Sequence, residues 1–554
     1  MTIPTDRTAL YQLLLALPTP QFEALLFDLN PPKGNISPPT APRGQRVPEL
    51  LDWLESPIGP GLEALRTAVE QVVVGHEKGS RDKLPDPLIP QNQGTPDSSP
   101  RDDNAQDNDP LPLPKRLFPL RFSKTLMILA LVSGFGAASL VSVVRFWGAF
   151  ERLELMAYDH VLTVRPAEPV SDRIIVLEAN RAVVDAEQAK EPKNLAETLS
   201  DATLTAAIQK LQDYGTSVIG LDWYLPADLS QWSASVLPVF QASDPAGQRS
   251  AIYGLCLQPY QGRTGEENAV PAPHPQAIPP ERVGFSNFAT DGDTVLRRHL
   301  VSNGLGDTVT APPCPSTQAF STLIALRYLD VNHPDLGPFL PPDLSTPSTL
   351  RRQSTLGPTT LEGPYTYIYG GYQNLDPAAL EIMINYREPP GNNLRAAFTH
   401  KSLYDLLENR LDPAAFQGKV VLLGLTDDTR ISDRFLTPYG DELGVTLQAH
   451  MVDHLISLAL GERRQIWVWT RGGEFAWILL WGVMGGWLGV VGRKRPWWLT
   501  GSLVAGVLGI YLASRLTMGV LALWLPMVPP MVAFVLAQGT VVYTEATLQR
   551  NRSE

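Results

Sequence analysis

The chain has 554 residues, more than the roughly 100–200 of one domain, so it is read as several parts. Charged residues make up 18% and hydrophobic ones 44%, against about 25% charged in a soluble globular protein, which points to membrane segments. A net charge of −12 argues against non-specific nucleic-acid binding, and two cysteines cannot build a four-thiolate zinc site.

Residues 1–76 read as a small all-helical domain. No apolar run opens them, so no cleavable signal peptide is expected. The runs TALYQLLLAL from Thr8, QFEALLFDL from Gln21, PELLDWL from Pro48 and LEALRTAVEQVVV from Leu62 place apolar residues at helical spacing. A Pro-rich stretch over 31–42 separates the second from the third. Residues 77–124 read as a linker with a basic juxtamembrane end. Between 77 and 114 it holds eight Pro and seven Asp and no aromatic residue, so it has little apolar surface to bury. A coil of that length spans roughly 35 Å on average.

Four stretches read as transmembrane helices: 125–144, 474–492, 497–513 and 520–543. Lys115, Arg116, Arg121 and Lys124 precede the first, and Arg493, Lys494 and Arg495 fill the loop between the second and third. The positive-inside rule puts both clusters in the cytoplasm. Both termini are then cytoplasmic, with the tail 544–554 inside and residues 145–473 outside. Pro526, Pro529 and Pro530 are expected to kink the fourth span. Gly482 and Gly486, and Gly485 and Gly489, stand four apart. They suit close packing among the spans or, alternatively, a homodimer. No charge lies well inside any span, which disfavours a transporter.

Residues 145–473 form the largest part. Apolar runs at 173–179, 217–223, 251–257, 382–386 and 419–425 read as strands. Helical stretches at 199–214 and 448–460 complete an α/β domain with a mostly parallel sheet. Pro-rich insertions at 258–281 and 334–364 are expected to be surface loops. Glu178 and Asp222 close two of these strands, and Asp427 and Asp428 follow a third. Ligands of open parallel sheets bind at carboxyl ends, so these four are the candidate ligand-binding residues, with helix and turn capping the alternative. His450 and His454 share a helix face, but HMVDH lacks the glutamate of a zinc-protease motif, so one core and one surface histidine are expected. Cys256 and Cys314 both fall on the oxidising side, where a disulfide is permitted; buried free thiols are the alternative. No phosphate-binding loop, nucleophile elbow or kinase signature is found. No enzyme activity, resident metal or cofactor is expected.

Two resemblances add to this. Gln21-Phe22-Glu23, Leu26-Phe27, Ala41-Pro42, Arg46, Leu50-Leu51 and Gly59-Pro60-Gly61-Leu62 resemble the effector-associated, death-like helical domains of bacterial signalling systems. That likeness implies like-with-like contact with a cytoplasmic effector carrying a similar domain, and Phe22 and Leu26 are the candidate contact residues. The larger domain resembles the CHASE2 family of extracytoplasmic sensor domains. The likeness rests on Leu155 to Asp159, Arg165-Pro166, Ile219 to Asp222, Val283 to Asn287 and Arg297-Arg298. It continues through Gly370-Gly371-Tyr372, Asn385-Tyr386-Arg387, Val420 to Gly424, Phe435, Thr437 to Gly440, Gly444-Val445 and Ala449-His450. Departures fall at Glu178-Ala179-Asn180, where many relatives carry a stronger acidic signature, and at Gln448, where histidine is frequent. The resemblance implies a receptor of a bacterial plasma membrane that senses an extracytoplasmic ligand. With only about ten residues after the last span, its output would lie in the N-terminal head. The alternatives are a constitutive membrane scaffold for an effector and an extracytoplasmic metal-dependent enzyme.

Overall fold

The computed structural model describes residues 43–55, 124–190, 199–241, 251–261, 267–303, 312–337, 353–364, 368–373, 379–427 and 433–553. Single positions, Leu14, Phe22, Leu25, Leu26, Leu29, Leu65 and Leu375, add to these. The chain forms two units, Met1–Pro119 and Leu120–Glu554.

In the first unit, α1 (Arg43–Glu55) buries Val47, Leu50, Leu51, Trp53 and Leu54, and Leu14, Phe22, Leu25 and Leu65 are buried as well. The first, second and fourth sequence-read helices each hold helical described residues. The Phe22 ring is fully buried beneath the Arg46 guanidinium, 5.4 Å from its centroid. Phe22 is therefore a core residue: an aromatic ring on the apolar stripe of a short helix gains most by packing inside its own unit. Leu26 is half-buried.

The second unit opens with α2 (Lys124–Phe146) and α3 (Glu151–Thr163). Then come β1 (Ile174–Ala179), α4 (Arg181–Glu187), α5 (Asp201–Asp213), β2 (Val218–Tyr224) and α6 (Leu237–Gln241). They are followed by β3 (Ala251–Gln261), β4 (Glu267–Val270), β5 (Val283–Phe285), β6 (Ala289–Thr290), β7 (Leu296–Ser302) and α7 (Phe320–Asn332). Next are β8 (Gln353–Leu356), β9 (Thr359–Glu362), β10 (Leu380–Met383), β11 (Thr399–Ser402), α8 (Leu403–Leu407) and β12 (Val420–Leu425). The hairpin β13 (Arg434–Thr437) and β14 (Gly440–Leu443) leads into α9 (Gly444–Ala459) and β15 (Trp467–Val468). Last are α10 (Arg471–Gly492), α11 (Pro496–Leu521), β16 (Leu523–Trp524) and α12 (Val528–Ser553).

The main sheet has the order β11-β1-β12-β2-β3-β4, with β5 also on β3. All its pairings are parallel except that of β4, as expected for strands buried on both faces. One face packs Ile175, Leu177, Ile219, Leu221, Val421 and Leu423 against α5, α6 and α8. The other packs Val176, Val218, Val420 and Leu422 against α7 and α9. Beyond α9 lies a small antiparallel sheet, β10-β7-β6, whose core joins Tyr158, Tyr386, Met451 and Trp524. Thus α9 is sandwiched, and every residue from Gly444 to Ala459 is buried. Its sequence is apolar on most faces for this reason. Both expected loop insertions contain strand: β3 runs on to Gln261 and pairs with β4, and β8–β9 is a hairpin. A tight turn over Thr437–Gly440 joins β13 to β14.

Four helices, α2, α10, α11 and α12, are long and apolar enough to cross a membrane. Helix α10 is the centre. A Cβ on Gly482 or Gly486 would meet the backbone oxygens of Gly134 or Ala130 on α2, at 2.8 and 2.4 Å. A Cβ on Gly485 or Gly489 would meet those of Phe534 or Gln538 on α12, at 2.3 and 3.1 Å. Both glycine pairs are thus occupied within the chain and leave no face for a homodimer through them. The third span extends past the expected 513, through Arg515 to Leu521, where Ala522 takes φ 52° and ends the helix. Nothing in 513–520 breaks a helix. The fourth begins at Val528, so Pro529 and Pro530 fall in its first turn, where a missing N–H costs nothing, instead of kinking its interior.

Candidate functional site

Strand order places the acidic strand ends side by side. Because β12 lies between β1 and β2, Glu178, Gly424 and Asp222 form one row across the sheet and share a face. Two strand spacings, about 10 Å, separate the two acidic residues. The missing side chain of Gly424 makes room for α9: a Cβ there would stand 2.7 Å from Val445 Cβ. The start of α9 therefore caps the row. Asp433 lies against it, its main-chain carbonyl accepting the Gly444 N–H at 3.2 Å.

Glu178 is not free to ligate. Its carboxylate accepts from Arg395 at 2.6 Å and meets His400 Nδ1 at 2.8 Å. His400 Nε2 lies 2.8 Å from the Arg395 carbonyl, so both ring nitrogens face oxygens. Burial opposes the Glu178 charge, but the His400 hydrogen bond and the Arg395 charge outweigh it and hold the carboxyl below its usual range. Asp222 goes the other way: burial, then the charge of Asp433, raises it well above the usual range. Asp427 is buried on the loop after β12, and Asp428 lies outside the described residues. Among the described residues no group of three or more histidine, cysteine or acidic side chains is spaced to hold a metal. Arg395, His400 and Asp433 escaped the sequence reading. Arg395 and His400 lie more than 200 residues from the carboxylate they hold, with no local pattern to reveal them.

His450 and His454 are both fully buried, which corrects the expected surface histidine: α9 has no solvent face. His450 Nε2 lies 3.1 Å from the Leu394 carbonyl, and desolvation pushes the ring down to about 3. Desolvation also holds His454 well below its usual value. Cys256 and Cys314 form a disulfide between β3 and the segment before α7.

A second cluster lies where the α/β domain meets the helices. The Glu154 carboxylate, 1% exposed on α3, accepts the Met527 N–H at 3.0 Å and the Val528 N–H, and so caps α12. Desolvation outweighs these bonds and nearby Arg145, and pushes Glu154 up to about 7. Arg145, at the end of α2, pairs with Glu474 on α10 at 2.9 Å and donates to the Gly370 carbonyl. Gly370 and Gly371 thread past Trp524, where a Cβ on Gly371 would come within 2.6 Å of its ring and 2.9 Å of Glu154 Cβ. One turn and a half along α3, Asp159 takes a two-pronged bond from Arg297, both contacts 2.7 Å. Arg297, 1% exposed, also holds Asp291 and Asp293, and the Tyr372 hydroxyl donates to Asp291 at 2.7 Å. Asp159, Arg297 and Tyr372 lie in segments the sequence reading matched to a family; Arg145, Glu154 and Glu474 carried no signal beyond their places at helix ends.

A parallel α/β domain, clamped through one helix to membrane-crossing helices, is the architecture of a membrane-bound sensor. The CHASE2 domain model matches residues 136–487, from within α2 into α10, and the chain belongs to that family of extracytoplasmic sensor domains. No curated protein and no solved structure matches it.

Proposed function

We propose that the chain is a transmembrane receptor of a bacterial plasma membrane. The CHASE2 domain lies outside the cell, takes up a cue, and the N-terminal head recruits or clusters a cytoplasmic effector with a similar helical domain. The observation that carries the reading is α3. A single rigid helix is held by the α/β domain at Asp159 and itself holds the start of α12 at Glu154, so a change in the domain's packing displaces the helices. The basic flanks of the first span and of the loop after the second support the orientation, with both termini cytoplasmic. The strand-end row, with Asp222 and Asp433 on one side and Arg395 and His400 on the other, is the place for a polar ligand of mixed charge.

Full-length protein captured from native membranes with cytosol tests the output, beside Phe22→Asp, which breaks the head's core. A partner lost with the variant supports recruitment; identical captures overturn it. A constitutive scaffold, the second reading, requires capture that no change at the CHASE2 domain alters.

A further inference from the structure

Helix α3 follows α2 after four residues, and its two faces differ. Leu155, Tyr158, Val161 and Leu162 are buried against the domain. The opposite face shows Leu153 and Met156, 50% and 56% exposed, and Phe146 and Trp147 just before it are 64% and 76% exposed. At about 100° per residue, positions 153 and 156 share one stripe, with exposed Arg152 at its edge. His160 continues the stripe and is met by Tyr511 of α11, whereas Leu153 and Met156 stay exposed.

The level of α3 can be read from its contacts. Its first turn holds the start of α12 through Glu154. At its far end, His160 Nε2 lies 3.2 Å from the Tyr511 hydroxyl and Arg515 donates to the Val164 carbonyl at 3.3 Å, both from α11. Helix α11 has 26 residues, so its length of about 39 Å exceeds a hydrocarbon core of about 30 Å by roughly six residues. Counting about twenty residues from Pro496 puts the boundary at Arg515, where the charge sits. Both ends of α3 are therefore at the boundary plane, beside the ends of α2 and α12. On the last turns of α2, Leu140 and Val143 are exposed in the same degree, 57% and 50%.

We propose that α3 is an in-plane interfacial helix whose partner is the lipid leaflet on the α/β-domain side. Trp147, Leu153 and Met156 enter the boundary between headgroups and acyl chains, and Arg152 meets lipid phosphates. The proposal goes beyond the receptor reading, because it holds whichever side the domain occupies and whether or not an effector exists. It makes the bilayer itself a binding partner of the helix that carries Glu154 and Asp159.

The test uses full-length protein in vesicles of phosphatidylcholine and phosphatidylglycerol. Both native cysteines are tied in a disulfide, so Leu153→Cys or Met156→Cys provides a single site for a spin label. Tyr404→Cys, on α8, serves as the aqueous reference, and Leu508→Cys, on the exposed face of α11 within the core, as the lipid reference. Power saturation with oxygen and with a water-soluble nickel chelate reads the depth. The expected result is a ratio of oxygen to nickel accessibility at 153 and 156 several-fold above that at 404 and below that at 508. A ratio equal to that at 404 overturns the proposal. So does strong spin–spin broadening at 153, which would mean that a second copy covers the stripe. Unchanged spectra at 404 in a double-labelled control establish that the variants retain the fold.

Discussion

Replacing His454 by leucine should stabilise the CHASE2 domain, although it changes the middle of a fully buried helix. Neither ring nitrogen of His454 has a hydrogen-bond partner, and the residue is 0% exposed. A buried unsatisfied polar atom costs about 1–3 kcal/mol, and leucine removes both at similar volume. The gain at pH 8 should be about 1–3 kcal/mol. Acid enlarges it. The fold holds His454 neutral, whereas the unfolded chain protonates near 6.5, so native stability falls as the pH drops below that value. At pH 5 the loss is about 2 kcal/mol, from 1.4 kcal/mol per unit over 1.5 units. The charges that face His454 act in the same direction: Arg463, His299, Arg165 and His450 all disfavour its protonation. Raised carboxyls such as Asp159 and Glu388 take up protons in the native state and push the other way, so only the difference between wild type and His454→Leu isolates the effect. Amide-exchange protection of β12 at pH 8 and pH 5 gives both free energies. Lower protection in the variant at pH 8, or an unchanged difference between the two pH values, would refute the reasoning.

Asp453→Asn should cost about 3–5 kcal/mol in the same exchange assay, because the 0%-exposed carboxylate takes two bonds from Arg387 and one from Ser171 and its removal strands a buried guanidinium. Gly485→Val should separate α10 from α12, since a Cβ would stand 2.3 Å from the Phe534 carbonyl. A destabilisation of about 1–3 kcal/mol and a longer inter-helix spin distance are expected, whereas Gly136→Ala, with nothing within 4 Å, should be silent. Glu154→Gln should flatten a pH response. With the native carboxyl near 7, wild-type stability falls by about 3 kcal/mol as the pH rises from 4.5 to 7, read at the Val528 amide, and the glutamine variant should not follow.

Strands β1, β2 and β12 were legible in the sequence to within a residue because strands buried on both faces must be apolar throughout, and only such runs occur there. The spans were legible for the same reason. Their ends were not: a hydropathy reading stops at Arg515, while the backbone continues as helix until something breaks it, and the arginine reaches the boundary without ending α11. The candidate site was half legible. That Glu178 and Asp222 both close parallel strands of one sheet follows from the βαβ pattern; that β12 inserts between those strands does not. That Arg395 and His400 neutralise the one while Asp433 burdens the other depends on segments folded in from far along the chain. The burial of Phe22 was not legible, because an apolar residue on a short helix reads the same whether it faces a partner or its own core.

In the receptor reading proposed above, the two clusters on α3 make this short helix, more than the strand-end row, the element that would move the helices. A ligand at the row lies on the face that α9 covers, and α9 in turn packs on the small sheet that carries Arg297. Arg297 is fixed by three carboxylates, so it cannot follow a shift of β7 by a small adjustment. Either Asp159 moves with it or the two-pronged bond breaks. Since Glu154 is five residues away on the same rigid helix, motion of Asp159 is motion of the cap on α12. The cap carries a cost, because desolvation outweighs the benefit of the Val528 and Met527 N–H groups to the charged carboxyl. A displacement of α3 that lets water reach Glu154 would set water in competition for the Met527 and Val528 N–H groups and so loosen α12 from the domain, and a leaflet that draws Leu153 and Met156 outward acts on the same joint from its other side.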